Sequence, residues 1–166
     1  MININLQEEI NFFNIQKWND YVYVQKNVWE KLVENKIIKK EGTLIKNTQT
    51  EMMIEIGHSG IKETFGPGGK YLNLKRESKE LKVAVVRYLP FLIQEAKLLM
   101  DNTANYHGKM MDTKYAYFKN EVIIDGKLYE IIFDVRKSAQ KNKFWVHRII
   151  TKSRDTDYVE RITNHT

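Results

Sequence analysis

The sequence predicts an α+β domain: helices packed on a twisted antiparallel sheet, with a β-meander at the C-terminal end. Three observations carry this prediction. Apolar residues recur at helical spacing early in the chain and again between residues 74 and 88. The dipeptide Asp125-Gly126 separates two long runs rich in β-branched and aromatic residues, the pattern of a tight hairpin. A third such run, "KFWVHRIIT", follows the basic loop "KSAQKNK". Helices first and strands last is the order of an α+β fold, whose sheet packs one face on the helices and leaves the other open.

Each element follows from local pattern. Leu6, Ile10 and Phe13 mark a first amphipathic helix over residues 5 to 18. "YVYV" at 21 to 24 reads as a short β-rich piece. Asn27, with Glu30 three residues later, looks like the cap of a second helix whose apolar face is Val28, Trp29, Leu32 and Val33. Residues 43 to 46 and 51 to 57 form a strand pair around the polar turn "NTQT". Leu74, Leu81, Ala84, Val85 and Tyr88 fit a long helix. Pro90 then opens a short helix, where its missing N–H is no loss, and that helix runs into a strand at 97 to 100. "DNTANYHGKMMD" is a polar loop without period, and residues 151 to 166 are a polar tail.

Length and composition narrow the classes. The 166 residues suit one domain over residues 1 to 166, with a helical part to 42 and a core from 43 to 150. The absence of cysteine excludes disulfides, thiolate metal sites and a cysteine nucleophile. No apolar run approaches the ~18 residues of a membrane span, and the acidic start "MININLQEEINFF" is no signal peptide, so a cytoplasmic location is expected. The net charge of +6 favours a polyanionic partner, RNA above all.

The candidate chemistry needs no cofactor. Glu121, Asp125, Glu130 and Asp134 are scattered along the hairpin without metal-ligand spacing, so no metal site is expected. Alternation along 144 to 150 sets Trp145 and His147 on one side, a histidine beside a stacking platform, or else a satisfied histidine in an aromatic cluster. In "IEIGHSGIKETFGPGGKY", His58, Lys62 and Thr64 gather where a strand gives way to a helix capped by Ser59. They either hold a phosphate or form only a capped turn. The loop "GPGGK" matches neither a P-loop nor a dinucleotide fingerprint. Lys119, Arg136, Lys137, Lys141, Lys143 and Arg148 interleave with Tyr115, Tyr117, Tyr129 and Trp145, which suits single-stranded nucleic acid or, as commonly, cross-strand packing. Metal-free RNA cleavage needs a base for the 2′-OH, an acid for the leaving oxygen and a cation for the phosphorane, and these residue types supply all three.

The segments "EMMIEIGHSGIKETFG", "VVRYLPFLIQEAKLL", "YAYFKNEVIIDGKLYEIIFDVRK" and "KFWVHRI" resemble the barnase–EndoU–colicin–RelE-like nuclease domains of MuF-type and large polyvalent phage proteins and of bacterial toxins. The landmarks are Ser59-Gly60-Ile61, Leu89-Pro90, Asp125-Gly126-Lys127-Tyr129 and His147, in the same order over residues 43 to 150. Gly57-His58 stands where that pattern has a basic residue, and Ile131 where it often has an arginine. The resemblance implies a barnase-like fold and a metal-independent endoribonuclease, toxin-like or phage-derived, acting on tRNA or mRNA, with an immunity or antitoxin protein as a possible partner. It implies His147 as general acid or base, and His58 as its partner or a phosphate contact. Lys62 and Arg136 would stabilise phosphate charge, while Thr64, Tyr117, Trp145 and Arg148 would bind substrate. The alternative is a non-catalytic RNA- or protein-binding module of the same fold.

Overall fold

A computed structural model describes residues 1–66, 70–102, 105–106, 109–110, 114–137 and 142–151; of these, residues 101–102, 105–106, 109–110, 114–115, 137 and 142–151 are described as backbone only. The glycine-loop residues 67–69 and the expected tail beyond 151 lie outside the described residues.

The architecture is α+β. In chain order the elements are β1 (Asn3–Ile4), α1 (Leu6–Phe13), α2 (Tyr21–Glu34), β2 (Thr43–Lys46), β3 (Met53–Ile56) and α3 (His58–Thr64). A 3-10 turn at Tyr71–Asn73 leads to α4 (Arg76–Val86), α5 (Leu89–Gln94) and β4 (Lys97–Asn102). Two short strands, β5 (Asn105–Tyr106) and β6 (Lys109–Met110), pair apart from the main sheet. The chain then runs through β7 (Lys114–Ile124), β8 (Lys127–Lys137) and β9 (Asn142–Thr151).

β7, β8 and β9 form the expected antiparallel meander. Asp125 and Gly126 take φ of 49° and 79°, the doubly positive geometry of a two-residue turn that matches strand twist. The full sheet has seven strands in the order β1-β7-β8-β9-β3-β2, with β4 also on β7. It is more mixed than the expected antiparallel sheet, because β1 joins β7 and β3 joins β9 in parallel. β3 and β9 are far apart in sequence, so the intervening helices and hairpin supply the long crossover that a parallel pair requires.

The helices cover one face of this sheet. Phe13, Val28, Leu32, Ile61, Phe65, Val85 and Leu92 join Phe118, Val122, Ile131, Phe133 and Val135 in one buried cluster. The opposite face differs from expectation: its centre is closed, not open. Tyr117 and Ile132 pack there with Leu99 and Met100 in a second cluster, and Ile132 and Asp134 are both 0% exposed.

Helix boundaries also differ in places. α1 stops at Phe13, where Asn14 turns left-handed (φ 51°) and its N–H bonds the Ile10 carbonyl. "YVYV" lies in α2, whose cap is Asp20, accepting from the Tyr23 N–H, rather than Asn27. Asn27 instead donates to the Phe13 carbonyl at 2.6 Å. Burial of Val24, Val28 and Leu32 on one stripe outweighs the β preference of valine and tyrosine. Between β2 and β3, buried Asn47 donates to the carbonyls of Ile93 and Ala96 at 2.8 Å each and accepts from the Thr50 hydroxyl, tying this turn to the end of α5.

Candidate functional site

α3 is the short helix that positions His58 and Lys62. Its N-cap is Gly57, with no side-chain cap bond, so Ser59 is not the cap that the sequence suggested; Ser59 is inside the helix. Ile61 and Phe65 anchor the buried side of this segment. From α2, Gln25 Nε2 donates to the Lys62 carbonyl at 2.9 Å. From α4, the buried Lys82 ammonium donates to the Thr64 carbonyl at 3.0 Å, placing a cation on the helix C-terminus. These anchors leave His58, Ser59 and Lys62 exposed.

His58 rests against α2. Its ring lies 5.1 Å from that of Trp29, tilted by 35°. Burial against this neighbour, and then the Lys62 charge, hold the imidazole below its ordinary titration range. Both effects favour the neutral imidazole, the form that accepts a proton.

Thr64 sits differently from Lys62. It is buried, and its hydroxyl donates to the Gly60 carbonyl at 2.8 Å within the helix. Tyr117 likewise faces the second apolar cluster and is only 7% exposed. Neither side chain is presented to solvent.

β8 contributes Asp134 and Arg136 on one face, with Tyr117 directly across from Asp134 on β7. Among the described residues, neither carboxylate oxygen of Asp134 has a hydrogen-bond partner. Burial pushes this carboxyl up to about 7; Glu63 adds a like charge from α3, and Arg136 opposes the shift. A carboxyl that titrates near neutrality inside a protein is a mark of functional sites. Sequence reading grouped Asp134 with the scattered hairpin acids, since a lone acid between Phe133 and Val135 looks like an outward strand position.

The remaining candidates lie on β9. The register sets Trp145 opposite Asp134 and Arg148 opposite Ile132. It then slips between Ile132 and Phe133, which pair with Arg148 and Val146, leaving His147 as the extra residue of a β-bulge. The side chains of Trp145, His147 and Arg148 lie outside the described residues. α3 packs along β9, and Glu63 brings the helix into the field of Asp134. The fold thus gathers His58 and Lys62 on one helix, sets that helix against the strand that carries His147, and turns Thr64 and Tyr117 inward.

Among the described residues no group of three or more His, Asp or Glu side chains is arranged to hold a metal ion. No described helix is long and apolar enough to cross a membrane. Comparison with curated proteins and with solved structures finds no match. A family model does match, over residues 26–146, from the middle of α2 into β9, and so takes in α3, the hairpin and most of the helical layer. The chain belongs to the family of large polyvalent protein-associated domain 3.

Proposed function

We propose that this domain is a metal-independent endoribonuclease, toxin-like or phage-derived, that cleaves RNA by attack of the ribose 2′-oxygen on the adjacent phosphorus. One observation carries this reading: the helix that presents His58 and Lys62 to solvent packs along the strand whose bulge holds His147. Bulges re-aim a side chain out of the regular pleat, and they recur beside active sites. The excess of cations, +6 overall, draws the polyanion toward the protein.

In this reading a histidine takes the 2′-OH proton, the 2′-oxygen bonds to phosphorus, and the bond from phosphorus to the 5′-oxygen breaks. The second group protonates that leaving oxygen, giving a 2′,3′-cyclic phosphate and a 5′-hydroxyl. His147 is the acid or base and His58 its partner or a phosphate contact. Lys62 and Arg136 neutralise charge on the phosphorane. Trp145 and Arg148, on the same strand as His147, bind the substrate. Asp134 sets the local field rather than touching substrate, since its side chain is fully buried.

The test is RNA cleavage with EDTA present, the products being assayed for a cyclic phosphate end. His147→Ala is expected to lower the rate on the order of 10²-fold or more with little change in melting temperature. A wild-type protein that cuts no RNA would overturn the assignment and leave a binding module of the same fold.

A further inference from the structure

Outside the proton-transfer chemistry, the seam between α2 and α3 combines features not yet accounted for. Val22, Lys26 and Trp29 recur at helical spacing and form one stripe of α2. Val22 is 60% exposed, the Lys26 side chain is 76% exposed, and Trp29 is half-buried. Beside this stripe lies the exposed side of α3, with His58 over Trp29 and Lys62 one turn further on. Gln25, buried between the helices, locks their spacing through the Lys62 carbonyl. The result is two rings in tilted contact, flanked by two lysines. Glu30, 4.0 Å from Lys26, offsets part of that charge, whereas Lys62 has no ion pair among the described residues.

We infer that Trp29 and His58 form a stacking subsite for one unpaired base of single-stranded RNA, with Lys62 on its phosphate. The geometry favours a base over a protein side chain for two reasons. An exposed imidazole backed by an indole offers a π-surface that any base can extend, in an offset or tilted stack. The cation beside it stands about one helical turn away, on the scale that separates a base from its own phosphate. The inference rests on RNA as the ligand, but not on cleavage. His58 therefore contributes its ring face here, independently of any proton it carries.

The experiment uses a non-cleavable 2′-O-methyl hexanucleotide, fluorescently labelled, bound to the full chain in EDTA and followed by anisotropy. His58→Ala, at an exposed position, is expected to weaken binding roughly 5- to 100-fold, the range for loss of one stacked base. His58→Phe restores it, because stacking needs a ring and no proton. Trp29→Phe keeps most of the affinity, whereas Trp29→Ala loses as much as His58→Ala; melting curves check that each variant is folded. An abasic version of the oligonucleotide should bind wild type about as weakly as the intact one binds His58→Ala. Undiminished binding by His58→Ala, or a duplex bound as tightly as the single strand, would overturn the subsite. If wild type binds in this pattern and never cuts RNA, the nuclease reading falls and the subsite stands. Cleavage with unchanged binding by His58→Ala gives the reverse.

Discussion

Replacing Asp134 by asparagine is expected to make the protein more stable, and only above acidic pH. Asp134 is 0% exposed, and among the described residues both of its carboxylate oxygens lack hydrogen-bond partners. Its carboxyl is pushed up from 3.8 to about 7, first by burial and then by the nearby Glu63, against the pull of Arg136. The group therefore keeps its proton in the folded chain where the unfolded chain has released it. Between about pH 4 and pH 7 the folded state binds more protons, so stability falls as pH rises, and it levels off above 7. A difference of roughly 3 units at about 1.4 kcal/mol each gives about 4 kcal/mol as the upper limit of the loss. Asparagine keeps the shape and the uncharged state, so the variant should escape that loss. Urea unfolding of both proteins from pH 4 to 8.5 measures it: the curves should nearly meet at pH 4 and separate by a few kcal/mol at pH 8. Glu63→Gln should narrow the separation by removing the like charge. Parallel stability curves, with a gap that does not change with pH, would refute the reasoning and mean that Asp134 ionises as freely folded as unfolded.

Asn47→Ala should cost about 2–4 kcal/mol in urea unfolding, because it strands two buried carbonyls and frees the turn before β3 from α5; a loss below about 0.5 kcal/mol would show that water replaces the amide there. Gly66→Ala should lower the melting temperature on the order of 10 °C or abolish soluble expression. A Cβ at that position runs into the Lys62 carbonyl and comes within 2.8 Å of Gln25 Nε2, the pair that fixes α3 on α2. A normal melting curve for this variant would mean that α3 tolerates displacement.

Much of the fold could be read from local pattern. The Asp125-Gly126 hairpin, the β2–β3 pair and Pro90 at the start of α5 each rest on interactions between near neighbours, which sequence displays directly. What eluded that reading depends on distant partners. α2 begins at Tyr21 because its stripe meets the core, a fact held by residues on other elements. β1 has two residues, too few to show any period, and its pairing with β7 is set by the far end of the chain. The closed second face was missed for the same reason: Glu130, Ile132 and Asp134 alternate like a half-polar surface, yet all three are buried. At the site, the chemical types of His58 and Lys62 were legible. The inward turn of Thr64 and the slip in register at His147 were not, since helix phase and bulges follow from packing and ladder geometry.

The pairing of β1 also bears on how the chain closes during synthesis. Asn3 and Ile4 lie beside Ile123 and Ile124, and the Leu6 N–H bonds Asp125 across 119 residues of sequence. At ribosomal speeds of about 5–20 residues per second, the first strand is made roughly 10 s before the hairpin that receives it. α1 can meet α2 early, but its leading strand must wait through the making of every other helix. The seam between β1 and β7 is therefore closed late, and until then the apolar edge at Ile123 and Ile124 stands open to neighbouring nascent chains. A polypeptide fused ahead of residue 3 emerges at that same seam, so its bulk bears first on the rate of closure and only afterwards on the finished domain.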